Sequence, residues 1–364
     1  MNLYKMELYK ILHRKSVLIT GLLIILWMAF YFFMMVSDEH TMINGTDYFG
    51  YQAIQKDREI TAEYEGIFTD EKAASIIAQY GFPCKVVRDV GGWRDSNFLT
   101  EFVTDRLSDG YLYGWNEGEY KIPEHLIPMA ESELSIYLDS GLPFAYTGGW
   151  QKFLDHLQIG ALLLNVWFMI LFSVLFSEER QTGMRVLICT SDKGVTVDLW
   201  AKIGAAFTIC LAAGLMFHGI SFLLFKAVFG LTGGSMPASL VIGSYAGILK
   251  YTTIGQLAVR YSVIMLGAFL MQTAICIWVS SKAGNNFQAV LTNSMILLVP
   301  PALYLCMRGI FLRLLSGSLP FLLVQYNNVI ELSSLYRIQL SVISAVLILG
   351  ITDSRKNWMK IDSE

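Results

Sequence analysis

Ser-Val-Leu-Ile-Thr-Gly-Leu-Leu-Ile-Ile-Leu-Trp-Met-Ala-Phe-Tyr-Phe-Phe-Met-Met-Val, residues 16–36, contains 21 residues and no charge. A bilayer core about 30 Å thick needs roughly 20 apolar residues per helical crossing. Comparable charge-free runs follow at 157–177, 203–225, 261–281 and 283–307. Each suffices for a helix, the open-ended structure that satisfies its own backbone polar groups in lipid. A sixth run, 338–352, is shorter and spans only if its helix starts near Ser333, with Arg337 snorkelling to the headgroups. The expected crossings are 16–36, 157–177, 203–225, 261–281, 287–307 and 333–352. Charged residues make up 16% of the chain and mean hydropathy is +0.48, which excludes a disordered protein.

Lys5, Lys10, Arg14 and Lys15 precede the first span. Arg180, Arg185, Lys193 and Lys202 follow the second, Lys282 the fourth, and Arg355, Lys356 and Lys360 the sixth. Six spans put all of these on one side, with both termini cytoplasmic by the positive-inside rule. Bulky Phe32, Phe33, Met34 and Met35 stand where a signal peptidase needs small residues, so the first run reads as a retained span. The loops at 226–260 and 308–332 are apolar but broken by Gly and Pro, and either could dip into the membrane as a re-entrant element.

Residues 37–155 differ in character, with 21 Asp/Glu against 9 Lys/Arg. They have the size of one small domain, expected outside the membrane and α-rich or α+β. Thr69-Asp70-Glu71 opens a helix carrying Ala73, Ile76, Ile77 and Tyr80, which Gly81 closes. A second helix is predicted from Asn97 to Leu107, and Trp93, Tyr111, Tyr113 and Trp115 are offered as core. Asn44-Gly45-Thr46 matches a glycosylation sequon, although a plain turn explains it as well. Of five cysteines only Cys84 lies here, so the domain has no internal disulfide, and no spacing suits zinc.

Catalytic signatures are absent from the sequence. It has no Gly-x-x-x-x-Gly-Lys-Ser/Thr phosphate loop, no His-Glu-x-x-His zinc helix and no Gly-x-Ser-x-Gly elbow. No enzyme activity, cofactor or metal is expected. His218 is the titratable side chain inside a span, about 22 Å from its inner end at the helical rise. It is read either as an interhelical bond or as part of a transport path. Asn165 and Gln272 have the same two readings, and Pro300-Pro301 should kink the fifth span.

Two cytoplasmic elements remain. Met1–Lys15 reads as an amphipathic helix in the headgroup plane: Tyr4, Leu8, Ile11 and Leu12 form its apolar face, with Lys5, Lys10 and Arg14 largely off it. After the second span come Glu178-Glu179-Arg180, Thr182-Gly183-Met184, Leu187, Thr190 and Gly194, then Ala201-Lys202. A glycine here lets the chain turn sharply. Apolar Met184, Val186 and Leu187 suit insertion into a partner's cleft.

This combination resembles the permease subunit of ABC transporters of the type-2 export family, in the branch with a large insert between the first two spans. The match consists of an elbow helix, acidic residues ending the second span, a Gly-x-x-x-Leu-x-x-x-Thr-like segment and a small-residue-plus-Lys entry to the third span. It departs from the family at Val195, where a basic residue often follows the last glycine, and in its short sixth run. The resemblance implies an all-α polytopic protein of the bacterial plasma membrane, with residues 178–202 as the ATPase-coupling loop. It also implies partnership with separate ATP-binding subunits, a second permease copy or related permease, and membrane lipids, but not nucleic acid. The expected cargo is a hydrophobic or amphipathic peptide, antimicrobial or lipid. The alternatives are a secondary transporter, although no internal repeat is visible, and a membrane sensor or scaffold with a folded outer domain.

Overall fold

A computed structural model describes residues 3–84, 95–116, 118–190, 194–243, 249, 251–306, 317–331 and 335–359. The chain forms two compact units. The first comprises Met1–Ala29, Leu154–Ser221 and Ala258–Glu364, and the second Phe30–Phe153 and Phe222–Leu257.

The first unit is helical. A short α1, Leu3–Leu12, precedes α2, Lys15–Ser37; α6 covers Gly148–Phe172, α7 Ser177–Gln181, α8 Met184–Cys189 and α9 Gly194–Phe229. Then come α11, Ile254–Lys282, α12, Asn286–Cys306, the short α13, Pro320–Leu323, and α14, Tyr326–Glu331, and finally α15, Tyr336–Met359. Among the described residues, five segments are long and apolar enough to cross a membrane: α2, Gly148–Gln181, α9, α11 and α15.

Packing fixes the direction of each helix. Lys10 and Arg14 meet Glu179 and Glu178, while the Trp167 indole donates to the Val17 carbonyl at 3.3 Å, so α2 opposes α6. His156 stacks on Phe217, while Glu179 meets Lys202, so α9 opposes α6 as well. Phe168 packs on Phe269, and the Ser280 hydroxyl accepts from the backbone N–H groups of Phe176 and Ser177 at 2.9 and 3.2 Å, making α11 parallel to α6. Asn286 pairs with Ser177 and Asn293 with Ser173, so α12 runs back. Gly267 faces Ile343 and Gly350 faces Ala274, which sets α15 parallel to α11. The six long helices therefore alternate in direction along the chain.

Several helix ends fall outside the expected spans. The second expected span, 157–177, lies within the apolar segment Gly148–Gln181, in which α6 gives way to a turn after Phe172. The Ser280 hydroxyl supplies the acceptor that the interrupted backbone would otherwise lack. The helix that carries the expected third span, 203–225, begins at Gly194, and an Asp198–Lys202 ion pair four residues apart supports its first turns. Helix α15 continues to Met359, into the segment expected to be the cytoplasmic tail. Asp353 there accepts from the Trp278 indole and pairs with Lys282, and Trp358 is buried against Phe176. The proposed start at Ser333 lies outside the described residues, as do residues 307–316.

Within the loop read as re-entrant, residues 317–331 pack into the first unit. The Asn165 amide donates to the Pro320 carbonyl at 3.3 Å and the Tyr261 hydroxyl to Val324 at 2.6 Å, while Gln158 accepts from the Tyr326 N–H at 3.0 Å. Pro300 and Pro301 lie inside α12.

The second unit is α+β. Among the described residues it holds α3, Tyr51–Ala62, α4, Asp70–Tyr80, and α5, Phe98–Leu107, with three two-stranded antiparallel pairs. His40–Ile43 pairs with Thr46–Phe49, Gly66–Phe68 with Leu142–Phe144, and Trp115–Asn116 with Glu119–Tyr120. The Thr69 side chain caps α4, and the Gly81 N–H returns to the Ile77 carbonyl at φ +77°. Asn97 and Thr100 cap α5 reciprocally. Asn44 and Gly45, both with positive φ, form the tight turn of the first hairpin, as that geometry requires. The turn reading of the sequon triplet is therefore sufficient. The Asp95 carboxylate accepts from both turn N–H groups.

Phe68, Phe102, Phe144, Leu99 and Val103 lie at the centre of this unit. The expected aromatic core of Tyr113 and Trp115 is instead exposed. Tyr113 lies in a turn, and the Trp115–Asn116 strand pairs with Glu119–Tyr120 and with no other strand among the described residues; Trp93 lies outside them. The described residues of the 226–260 loop as far as Leu257 also belong to this unit. Met236 and Leu240, the latter on α10 (Ala238–Val241), enter the same core. Arg106 donates to the Leu240 carbonyl at 2.7 Å and Tyr137 shares a hydrogen bond with Ser239.

Candidate functional site

Helix α7 begins where the break after Phe172 ends, so Glu178 and Glu179 sit at a fixed corner of the first unit. Glu179 is buried, and Glu178 is partly exposed. Lys10 reaches Glu179 at 3.3 Å and Arg14 pairs with Glu178, which anchors α1 beside α7. The Tyr4 hydroxyl donates to Thr208 at 2.8 Å and fixes α1 along α9. The expected apolar stripe of α1 divides accordingly. Ile11 is buried and Leu8 half-buried, whereas Leu12 faces outward with Lys5.

Lys202 is the centre of this corner. Its ammonium, 0% exposed, lies 2.9 Å from Glu179 and 3.9 Å from Glu7, and also pairs with Asp198. The rings of Phe176 and Trp358 flank it at 5.9 and 5.7 Å, within cation–π range. Oxygens of Glu7, Glu179 and Asp198 lie within 4.8 Å of one another, as metal ligands would. A divalent ion would need the position that the ammonium fills.

The sequence reading missed Glu7, Asp198 and the burial of Lys202. The available signal was that Glu7 sits between Tyr4 and Ile11 on the apolar face of α1, where a charge needs a partner. Burial disfavours the charged form of Glu7 and pushes its carboxyl above the usual range, with Lys202 and Lys10 opposing that shift.

Beyond the corner, the Arg180 guanidinium donates to the Ala283 carbonyl at 3.3 Å and the Thr182 hydroxyl to Glu178 at 2.8 Å. Gly183 then takes φ +72°, a left-handed conformation in which a side chain would be strained, and re-aims the chain into α8. On α8, Met184, Val186 and Leu187 are 49%, 68% and 63% exposed. Thr190 closes the helix with a hydroxyl bond to Leu187, residues 191–193 lie outside the described residues, and Gly194 opens α9.

The polar residues expected along a path make separate contacts. Asn165 bonds to Pro320, whereas Gln272 donates to Cys276 one turn along its own helix at 3.3 Å. His218 is half-buried on α9. Pro300 is buried and Pro301 half-buried within α12.

In the second unit, a groove of about 740 Å³ runs along α3, lined by Gln52, Gln55, Lys56 and Glu59 with Tyr48 and Tyr146. Lys56 and Glu59 pair across one turn at 2.7 Å, so the groove carries little uncompensated charge.

Comparison with protein-family models, with curated proteins and with solved structures finds no match for this chain.

Proposed function

We propose that this chain is the membrane-spanning permease subunit of an ATP-driven transporter, whose ATPase subunits are separate polypeptides docking on α8. One observation carries this reading. A six-residue helix, too short to cross a bilayer, exposes Met184, Val186 and Leu187 directly after a glycine turn and beside a buried ionic corner. An exposed apolar cluster of this kind is a common mark of a surface that a partner covers. The corner joins α1, α7 and α9, so force applied at α8 would reach the helices through a stiff connection.

The alternating directions of α2, α6, α9, α11, α12 and α15 support six crossings, with α12 as the fifth and both termini on one side, which the basic flanks make the cytoplasm. A second permease copy would complete the conduit, and a hydrophobic or amphipathic cargo suits it best.

The test is purification of the tagged chain in mild detergent from its native membrane, with and without Met184→Asp and Leu187→Asp. An ATPase subunit should accompany the native chain and be lost from the double variant, while the variant's own Tm stays unchanged. Purified native chain free of any ATPase, or ATP-dependent transport unaffected by the double variant, would refute the assignment.

A further inference from the structure

The ionic corner contains four carboxyl groups, on Glu7, Glu178, Glu179 and Asp198, and three cations, on Lys10, Arg14 and Lys202. The close contacts pair them unequally. Arg14 takes Glu178, Lys10 takes Glu179, and Lys202 takes Asp198 while also bonding Glu179 at 2.9 Å. Glu7 is left over. It is 6% exposed, its nearest cation is the Lys202 ammonium at 3.9 Å, and it accepts no hydrogen bond from any described residue. Its Oε2 is fully buried and unpartnered. One carboxyl oxygen of Glu7 stands within 4.8 Å of carboxyl oxygens of Glu179 and Asp198.

A buried, unbonded carboxylate facing two others is the arrangement in which one group takes up a proton rather than a charge. We propose that Glu7 is a proton-binding site: protonated, it lets α1 dock against α7 and α9, and its ionisation loosens that helix. The groups facing Glu7 are Lys10 on its own helix, Glu179 on α7, and Asp198 and Lys202 on α9. Loss of the proton adds a fourth negative charge to a corner with three positive ones. Burial raises the Glu7 carboxyl, which agrees in sign. A carboxyl raised in the docked state stabilises docking fully below its ordinary range, and the contribution disappears as pH rises through the raised value. The device is a latch that opens at alkaline pH, and it does not depend on what α8 binds.

The experiment follows thermal unfolding of the full chain in detergent micelles between about pH 5 and about pH 9, for the native chain and Glu7→Gln. Glutamine reproduces the protonated shape without a titrating group. The native Tm should fall relative to Glu7→Gln as pH rises, by about 2–4 °C for each tenfold preference of the docked state for the proton, and the two should converge at the acid end. Parallel curves would overturn the proposal. Should Glu7→Gln fail to fold, infrared spectra of the native chain decide. A protonated-carboxyl C=O band present at neutral pH and lost on alkalinisation together with the drop in Tm supports it, and its absence at neutral pH overturns it.

Discussion

Replacing Lys202 with Met tests the ionic corner most directly. The side chain lengths are similar and Met suits the pocket formed by Phe176 and Trp358, so the change removes charge with little loss of volume. What remains is Glu7, Glu179 and Asp198 with oxygens no more than 4.8 Å apart. Two unit charges at that separation repel by about 3–4 kcal/mol at an effective dielectric of about 20. Removing one partner of a buried pair typically costs about 3–5 kcal/mol, so the two routes agree. At a few degrees per kcal/mol, Lys202→Met should lower the Tm of the solubilised chain by on the order of 10 °C. The loss should be smaller at pH 5 than at pH 8, because protons can replace the missing ammonium. Adding Asp198→Asn should recover part of it, giving a double-mutant cycle that is far from additive. A Tm within two degrees of the native value, or an additive cycle, would refute the view that Lys202 holds the corner together.

Two further outcomes concern the second unit. A Cβ at Gly110 would lie 2.3 Å from the Pro123 nitrogen and 2.5 Å from the Ile122 carbonyl carbon, both backbone atoms that no rotamer change can move. Gly110→Ala should therefore destabilise the unit by about 3 kcal/mol or more, visible as a separate early transition in near-UV circular dichroism of the full chain. The backbone N–H groups of His125 and Glu124 donate to Asp109 and hold its carboxyl well below the usual range. A depressed carboxyl contributes above its ordinary value and loses that contribution as pH falls toward the depressed one. Amide exchange at His125 and Glu124 should therefore accelerate below about pH 4 in the native chain, and Asp109→Asn should remove that acid dependence.

Local signals were the ones the sequence carried reliably. Thr69, Gly81 and Asn97 act within a turn of where they stand, and the helices of the second unit begin and end as those residues dictate. Asn44-Gly45 sets its hairpin for the same reason. The charge-free runs likewise located the long helices, because each such run has few other ways to satisfy its backbone in lipid.

Partnership was not legible. Lys202 read as a flank of the third span, and Glu7 did not stand out on a basic helix. Glu7 and Lys202 lie 195 positions apart in the sequence, and their burial depends on α1 and α9 meeting in space. Apolar character alone did not reveal what Met236 and Leu240 pack against, since lipid and a protein core attract the same side chains. The sequence by itself thus determined which segments are helical and apolar, through interactions short enough to be local. Only the tertiary structure decided how charges are paired and which apolar loop joins which core, because those choices rest on contacts between distant parts of the chain.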